Sequence, residues 1–343
     1  MPKVNQQDLA EHLKISQTTV SRTFSNHPSI NPETKALVLE AAAKLGYKPN
    51  LSRVRKSARE KAQTTVGVII GMPKQYNESA ETFQYMLKGI SDRASIEDMI
   101  LDVVYTDPSK LDKDSLLRKV RNGKWDGAIL IYPFENDIIE SLSSKISCVS
   151  IVENYRKTLV DSIDVDRDGG FHTLIEHLKE QGHSKIGFFT WKYTVPTEWV
   201  FSRFGSYIEN LYSLGLKFDP NHVLNLQEED CMSPEDGAKE IARLVREGVT
   251  AWVCPADHQV FQLLDDLEQQ GISVPEDCSI TGFDGIDTLT NHKQLTTIRV
   301  PYQEMGRSAI NQLLRRIEHP TVARRHIQVD GDFIRGETVG KAK

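Results

Sequence analysis

The sequence predicts an α/β protein with a small all-helical unit at its N-terminus, followed by two doubly wound parallel sheets. Three observations lead to this fold class. Apolar residues recur at helical spacing through the first 50 residues. From Thr65 onward, short apolar runs alternate with helix-length segments, as in parallel sheets that helices cover on both faces. Eight or more such units over about 280 residues fit two sheets better than one.

Residues 4–24 predict a helix-turn-helix, with Asn5 placed to cap the first helix and Ser16 to cap the second. The predicted buried positions are Leu9, Ala10, Leu13, Val20 and Phe24. The opposite face of the second helix carries Gln17, Thr18, Ser21, Arg22 and Ser25. The predicted DNA contacts of this helix pair are Asn5, Ser16, Gln17, Thr18, Ser21 and Arg22. This face mixes hydrogen-bond donors and acceptors with a single charge, which suits a helix that reads base edges in the DNA major groove. The alternative is an ordinary solvated helix pair.

A third helix is predicted from Asn31-Pro32-Glu33, a typical helix start, to Gly46. With this helix in place, the chain resembles the LacI/GalR family of bacterial transcription regulators. The matching motifs are Asp8-Leu9-Ala10, Ile15-Ser16, Thr19-Val20-Ser21-Arg22, Thr34 and Leu45-Gly46-Tyr47-Lys48-Pro49-Asn50. Lys14 departs from the family, which usually has Gly at this turn position. A left-handed backbone at Lys14 would cost about 1 kcal/mol.

The segment 50–62 contains no Gly or Pro, and five of its thirteen residues are Lys or Arg. The resemblance implies that it is a hinge helix that folds on DNA and enters the minor groove. Its predicted DNA contacts are Asn50, Arg53 and Lys56. Lys56 stands where the family usually has a Leu that wedges between base pairs, and an ammonium group neutralises phosphate instead of unstacking bases. We therefore expect weak operator bending and a steep salt dependence, unless Leu51 or Val54 is the wedge.

The resemblance covers the rest of the chain as well. The predicted strands include the runs 66–70, 100–105, 127–131, 148–152, 185–190, 222–226, 251–254 and 279–283. Matching phrases are Gly182-His183, Val274-Pro275-Glu276-Asp277, Gly282-Phe283-Asp284, Leu295-Thr296-Thr297-Ile298 and Met305-Gly306. The resemblance implies two subdomains of the periplasmic-binding-protein type, with an effector-binding cleft between them and three crossings of the chain that we place near Asp161, His292 and Pro320. The predicted domains are a DNA-binding head at 1–49, a hinge at 50–62 and an effector-binding core at 63–343, with an N-subdomain at about 63–160 and 293–320 and a C-subdomain at about 161–292 and 321–343.

Ligands of doubly wound sheets bind beyond the carboxyl ends of the strands. Side chains in such positions are Asp166, Trp191, Tyr193, Asp257 and Asp284. The resemblance implies that Arg203, in a motif similar to the family's Arg-x-x-Gly-Tyr, and Asp284 bind the effector, often together with Asp257. It also places Phe83 at a ligand-facing position, and it matches Asp166-Arg167 to an Asp-Asn pair. The alternatives are helix caps for the acids and core or rim packing for the aromatic residues, including Trp199.

These side chains suit a polyhydroxylated effector, such as a sugar. Charged groups bind hydroxyls, and aromatic rings stack on the C–H faces of the ligand. We expect a homodimer, because no heptad pattern follows Phe333 to support a tetramer. Each protomer would place one helix on a half-site of near-palindromic double-stranded DNA, and the effector would change operator affinity allosterically.

Charge is divided unevenly along the chain. Residues 1–62 hold eleven Lys or Arg and five Asp or Glu, which is a net charge of +6. Because the whole chain has a net charge of −6, residues 63–343 have a net charge of −12. A basic head suggests contact with a polyanion. No apolar run of about 18 residues and no signal-peptide layout is present, so we expect a cytoplasmic, nucleoid-associated protein with no membrane partner. The four Cys form no Cys-x-x-Cys pair, as expected of reduced thiols.

Two motifs imitate ligand-binding loops and fail on detail. Asp164–Gly169 copies the start of a calcium loop, but Ile175 stands where a bidentate Glu is required. Gly331–Gly336 has phosphate-loop glycine spacing, but Glu337 follows where Lys is required, and a final strand and turn is the better interpretation. We expect no catalytic residue, no metal and no cofactor. The alternatives are a sugar-binding transport protein and a two-domain α/β enzyme, which would need features that the sequence lacks.

Overall fold

The structure is a computed structural model that describes residues 4–25, 27, 29–47, 63–71, 81–107, 111–191, 198–226, 232–286 and 293–343. The chain forms two compact units. Unit 1 comprises Met1–Asp164 and Tyr302–Gln328, and unit 2 comprises Val165–Pro301 and Val329–Lys343. Residues 293–301 therefore lie in unit 2, and 321–328 lie in unit 1, each opposite to the predicted assignment. The reason is strand pairing, because residues 297–299 pair inside unit 2 and residues 326–329 extend the sheet of unit 1.

Unit 1 begins with the three helices of the head. These are α1 (Gln6–Leu13), α2 (Gln17–Phe24) and α3 (Pro32–Leu45). The helices that follow are α4 (Glu81–Ile96), α5 (Lys113–Gly123), α6 (Asn136–Ser143) and α11 (Tyr302–Glu318). The strands are β1 (Thr65–Gly71), β2 (Ile100–Thr106), β3 (Gly127–Ile131), β4 (Ser147–Ile151), β5 (Asp161–Val165) and β11 (His326–Val329), in the sheet order β11-β5-β4-β3-β1-β2.

Unit 2 contains the helices α7 (Arg167–Glu180), α8 (Glu198–Ser213), α9 (Pro234–Arg246) and α10 (Asp257–Gln269). Its strands are β6 (Ile186–Phe189), β7 (Val223–Leu224), β8 (Ala251–Val253), β9 (Ser279–Thr281), β10 (Thr297–Arg299) and β12 (Asp332–Ile334). A short 3-10 helix, Pro220–His222, precedes β7. The parallel sheet has the order β7-β6-β8-β9, and β10 and β12 form an antiparallel pair. The predicted fold class is confirmed.

The head follows its local signals closely. Asn5 and Asp8 form a capping box on α1, and Ser16 and Asn31 cap α2 and α3 through their side-chain oxygens. Val20 of α2 is fully buried, together with Leu9 of the facing helix. The predicted caps are therefore confirmed, and so are the predicted buried positions except Leu13, which is only half-buried at the end of α1.

Lys14 ends α1 in the left-handed conformation, with φ 54° and ψ 38°. Replacing Lys14 by Gly should raise the free energy of local opening of α1 and α2 by about 1 kcal/mol, because Gly adopts this backbone conformation without the Cβ clash. Amide hydrogen exchange of the head in the full-length protein measures that free energy. The matched comparison is the same substitution at Lys124, which ends α5 of unit 1 at φ 49° and ψ 49°. Faster exchange in the Lys14→Gly variant would contradict the strain.

The core of unit 1 is a fully covered sheet with one close helix contact. Every residue of β1 is buried, as expected of a central parallel strand. Helices α4 and α11 approach each other so closely that a Cβ at Gly89 would lie 1.8 Å from the carbonyl oxygen of Gln303. This pair of helices forms a rigid layer on one side of the sheet.

Asp161 and Arg316 form a buried ion pair at the edge of that sheet. The Arg316 Nη2 and Nε groups donate to the two oxygens of Asp161 at 2.6 and 2.9 Å. The amide nitrogens of Gln312 and Arg325 donate to the same carboxylate, each at 2.6 Å. Burial raises the pKa of Asp161, but the hydrogen bonds from Arg316, Gln312 and Arg325 outweigh it and hold the pKa below its usual value. The remaining Arg316 donors bind carbonyl oxygens of residues 320, 322 and 323, so this guanidinium also closes the loop before β11.

Candidate functional sites

The polar face of α2 is open to solvent. Gln17, Thr18, Ser21, Arg22 and Ser25 are all exposed. The other face is buried through Val20, Thr23 and Phe24, so the packing fixes which side chains point outward. Among the described residues, no acidic side chain forms an ion pair with Arg22, so its guanidinium is available to a partner. The arrangement presents donors, acceptors and one cation on a rigid helix.

The predicted contacts Asn5 and Ser16 have a structural task as well. Asn5 Oδ1 accepts hydrogen bonds from the backbone nitrogens of Gln7 and Asp8, at 2.7 and 3.2 Å. Ser16 Oγ accepts from Thr19 N at 3.0 Å. These bonds hold the helix ends that face outward at the start of α1 and α2. The other predicted contacts, Asn50, Arg53 and Lys56, lie outside the described residues, as does the whole segment 50–62.

A second group of side chains gathers beyond the strand ends of unit 2. Strands β6, β8 and β9 are parallel neighbours, so their carboxyl ends lie at one edge of the sheet. Trp191, Asp257 and Asp284 follow these three strands in turn, as the sequence predicted. Tyr193 lies outside the described residues.

Arg203 and Asp284 form the centre of this group. Arg203 Nη1 donates to Asp284 Oδ1 at 3.1 Å and also to the carbonyl oxygen of Pro255. The guanidinium lies 4.9 Å from the ring of Trp199 and 4.3 Å from the ring of Phe283, within cation–π distance of both. Both members of the ion pair are buried, with side chains 4% and 7% exposed. Asp284 also has φ 139°, a conformation that L-residues rarely adopt and that often marks functional sites.

Asp257 braces the loop that carries Asp284. Its carboxylate accepts from Thr297 Oγ1 at 2.7 Å and from Ile286 N at 3.0 Å. Complete burial, and then the nearby negative charge of Asp284, raise the pKa of Asp257 to about 7. It follows α10's N-cap residue, Ala256, and makes no cap of its own. The helix-cap alternative is therefore wrong for Asp257, which instead positions the loop around Asp284.

Trp191 and His258 form an aromatic wall beside the ion pair. Their rings meet edge to face, with centroids 5.2 Å apart. Burial, and then the positive charge of Arg203, lower the pKa of His258 to about 4, so this imidazole is neutral at physiological pH. The Trp191 Nε1 group is buried without a hydrogen-bond partner in the part of the chain that the structure describes. A buried N–H donor of this kind favours a ligand that brings an oxygen acceptor.

Two predicted effector residues have other surroundings. Asp166 caps its own helix α7 by accepting from Gly169 N at 3.3 Å, which supports the cap alternative. Phe83 belongs to unit 1 and is fully buried, packing edge to face against Tyr105 at 6.1 Å. Its ring is inaccessible to a ligand in this structure, so the packing alternative is the better description. The helical spacing of Phe83 with Leu87 and Ile90 equally indicates this packing.

Two family profiles match the chain. Residues 6–50 match the bacterial regulatory proteins of the lacI family, and residues 175–339 match the periplasmic binding protein-like domain. The chain therefore carries a LacI-family DNA-binding domain followed by a periplasmic-binding-protein-like domain.

LacI-family relatives span almost the whole chain. The HTH-type transcriptional repressor PurR of Haemophilus influenzae is 28% identical over 319 residues, which are 91% of this chain and 90% of that protein. The solved complex of the regulator CelR with cellobiose has a TM-score of 0.69 at 20% identity, covering 98% of this chain and 100% of that one. The lac repressor dimer bound to operator and the anti-inducer ONPF has a TM-score of 0.66 at 18% identity, covering 98% and 99%. At these identities the solved structures establish the fold.

With its LacI-family DNA-binding domain and its full-length HTH-type relatives, the protein is a DNA-binding transcription regulator and not an enzyme, as the sequence predicted. Within the described residues, no group of three or more His, Cys, Asp or Glu side chains is arranged to hold a metal ion. None of the described helices combines the length and apolar composition that crossing a bilayer requires.

The sequence did not single out His258. It directly follows Asp257 beyond β8, so its place in the chain was a usable signal. Its link to Arg203 depends on tertiary packing of α8 against the strand ends, which no local pattern encodes. The same holds for the backbone carbonyl of Pro255, which shares the Arg203 guanidinium with Asp284.

Proposed function

We propose that this LacI-family regulator is a repressor that reads a near-palindromic operator through the exposed face of α2. A small molecule that binds to unit 2 raises or lowers its affinity for the operator. The observation that carries the DNA-reading half is the rigid, exposed row of Gln17, Thr18, Ser21 and Arg22. Because chromosomal operators lie in the bacterial cytoplasm, we place its action there. We propose a homodimer, since one head reads only one half-site.

Replacing Arg22 by Ala should cost about 1–3 kcal/mol of operator binding and relax base preference at one position of each half-site, as expected for a bidentate Arg–guanine contact. The measurement selects binding duplexes from a random library with each variant and then compares affinities. Arg22→Lys is the matched control, because it retains the charge and loses the planar fork. Uniform weakening of Arg22→Ala on every sequence, together with nearly normal binding by Arg22→Lys, would mean that Arg22 contacts only phosphate.

We propose that the effector is a sugar or sugar derivative that binds at Arg203 and Asp284, beyond the strand ends of unit 2. Three observations support a neutral, hydroxyl-rich ligand. The guanidinium and carboxylate neutralise each other, His258 is uncharged, and Trp191 supplies a buried N–H donor beside aromatic surfaces. The relative CelR was solved with cellobiose, which agrees with this class.

Replacing Asp284 by Ala should leave operator binding intact and abolish the response to the effector, because the ligand loses its charged hydrogen-bond acceptor. A thermal-shift screen with cellobiose, glucose, ribose, nucleosides and phosphorylated sugars first identifies the ligand. A ligand at 100 times its Kd stabilises the folded protein by about 2.7 kcal/mol.

The matched control for this experiment is Asp332→Ala, which removes an exposed carboxylate from β12 of the same unit. It should keep both operator binding and the thermal shift. A normal shift in the Asp284→Ala variant would show that the effector binds elsewhere. Loss of operator binding would show that the substitution unfolds more than the site, and Asp284→Asn would then replace it.

A further inference from the structure

The head has a second interface, on the face that α3 turns toward α4 and β2 of the same unit. Side-chain hydrogen bonds join α3 to α4. Lys35 donates to Ser95 at 2.8 Å, Lys88 donates to Glu33 at 2.5 Å, and Gln84 donates to Glu40 at 3.2 Å. Donor and acceptor roles alternate along the contact. It is therefore a specific, polar interface between the head and the body of unit 1.

Two charged residues of α3 are buried by this contact. Lys35 is 3% exposed and Glu40 is 7% exposed, although Lys and Glu are almost never buried unless they are paired. Lys44 Nζ lies 2.6 Å from Glu40 and 5.7 Å from the centre of the Phe83 ring, so a cation–π contact adds to the ion pair. If the head undocked, Ser95 and Gln84 of α4 would lose their hydrogen bonds with Lys35 and Glu40.

The docked head keeps its DNA-reading face open. Helix α3 contacts α4 on one side, while Gln17, Thr18, Ser21 and Arg22 remain exposed on α2. Docking and DNA reading therefore use different faces of the head and are compatible with each other.

We propose that α3 stays docked on α4 with and without DNA, so that α2, the proposed recognition helix, turns with unit 1 as one body. This coupling route is additional to the chain segment 48–62, and it rests on the proposed reading of DNA by α2. Its consequence is that a reorientation of unit 1 changes the separation and tilt of the two recognition helices directly, without folding or unfolding of any segment.

The experiment uses Ser95→Arg, which sets a cation against the buried Lys35 and leaves the head and the effector residues unchanged. Gln84→Glu, which opposes Glu40, is the second variant, and adding Glu40→Gln to it restores a hydrogen-bonding pair. The matched control is Ser144→Arg, at an exposed position after α6. Hydrogen exchange of α3 and α4 in the full-length protein reports docking without any ligand.

We expect exchange of α3 to rise about tenfold in Ser95→Arg and Gln84→Glu, as for loss of a charge-assisted hydrogen bond, and to return in the double variant. Unchanged exchange in both single variants would overturn the docking. In the unmodified protein, protection of α3 and α4 should persist when a duplex selected from a random library by the protein is bound. Loss of that protection on the duplex would also overturn the proposal.

Binding to the selected duplex tests the coupling separately. With the head undocked, Ser95→Arg should bind a duplex with two half-sites more weakly and a duplex with one half-site unchanged, because only the former requires a fixed orientation of two heads. Equal affinity for the two-site duplex in Ser95→Arg and Ser144→Arg would overturn the coupling. If no duplex were selected at all, the function proposed for α2 would fail while the exchange data still decide the docking.

Discussion

Replacing Arg316 by Ala should lower the free energy of unfolding by about 3–5 kcal/mol, among the largest losses expected for a single substitution in this protein. The variant removes two hydrogen bonds from Asp161, whose side chain is fully buried, and three from the loop of residues 320–323. The Asp161 carboxylate would keep its hydrogen bonds from Gln312 and Arg325 but would remain buried without its cation. Urea unfolding at neutral pH measures the loss.

The matched control is Arg307→Ala on the same helix. Arg307 pairs with Asp92 at 2.7 Å but is about one-third exposed, so its removal should cost less than about 1 kcal/mol. The pH dependence gives a second check. Because the pKa of Asp161 is held below its ordinary value in the folded state, the stability from Arg316 is present above that ordinary value and is lost as the pH falls through the folded pKa. The difference in the free energy of unfolding between the unmodified protein and Arg316→Ala should therefore become smaller in acid. A difference that does not change with pH would contradict the ion-pair explanation.

Replacing Arg203 by Ala should also cost about 3–5 kcal/mol, for the same reason in a different unit. Asp284 would lose its cation while remaining buried, and the space between the rings of Trp199 and Phe283 would empty. Thermal unfolding of the full-length protein measures this loss, and the thermal shift by the identified sugar should vanish with it.

Arg243→Ala is the control for this second substitution. Arg243 lies in α9 of the same unit, is half exposed, and pairs with Glu240 and Glu247 on the surface. Its loss should cost less than about 1 kcal/mol and leave the thermal shift intact. Equal losses for Arg203→Ala and Arg243→Ala would mean that burial of the Arg203–Asp284 pair carries no energetic weight.

The head and the strand ends were predictable because their signals are local. A cap such as Asn31 and an apolar strand such as β1 act over a few residues, so the sequence alone indicates them. Strands β10 and β11 gave no such signal, because β11 alternates between exposed and half-buried residues and β10 has only three. Their partners are set by long-range pairing, which also decides where the chain passes between the two units.

The candidate effector site was predictable only in part. Arg203 and Asp284 were found from the resemblance, and the structure brings them into contact. Phe83 and Asp166 were drawn from the same resemblance, but burial and a helix cap occupy them. His258 has no motif of its own, and its neutral state results from burial beside Arg203, which exists only after folding.

The single cation on the α2 face has a consequence for how the protein finds its target. The described helices of the head, with their flanks at residues 4–47, contain four Lys or Arg and four Asp or Glu, whereas residues 48–62 contain six Lys or Arg and one Glu. Counterion release drives non-specific binding and sliding along DNA, and from this distribution of charge we expect it to depend mainly on residues 48–62. The rate at which the protein searches the chromosome should therefore depend on ionic strength because of the charges in that segment. The proposed base reading by α2 would determine where the search stops.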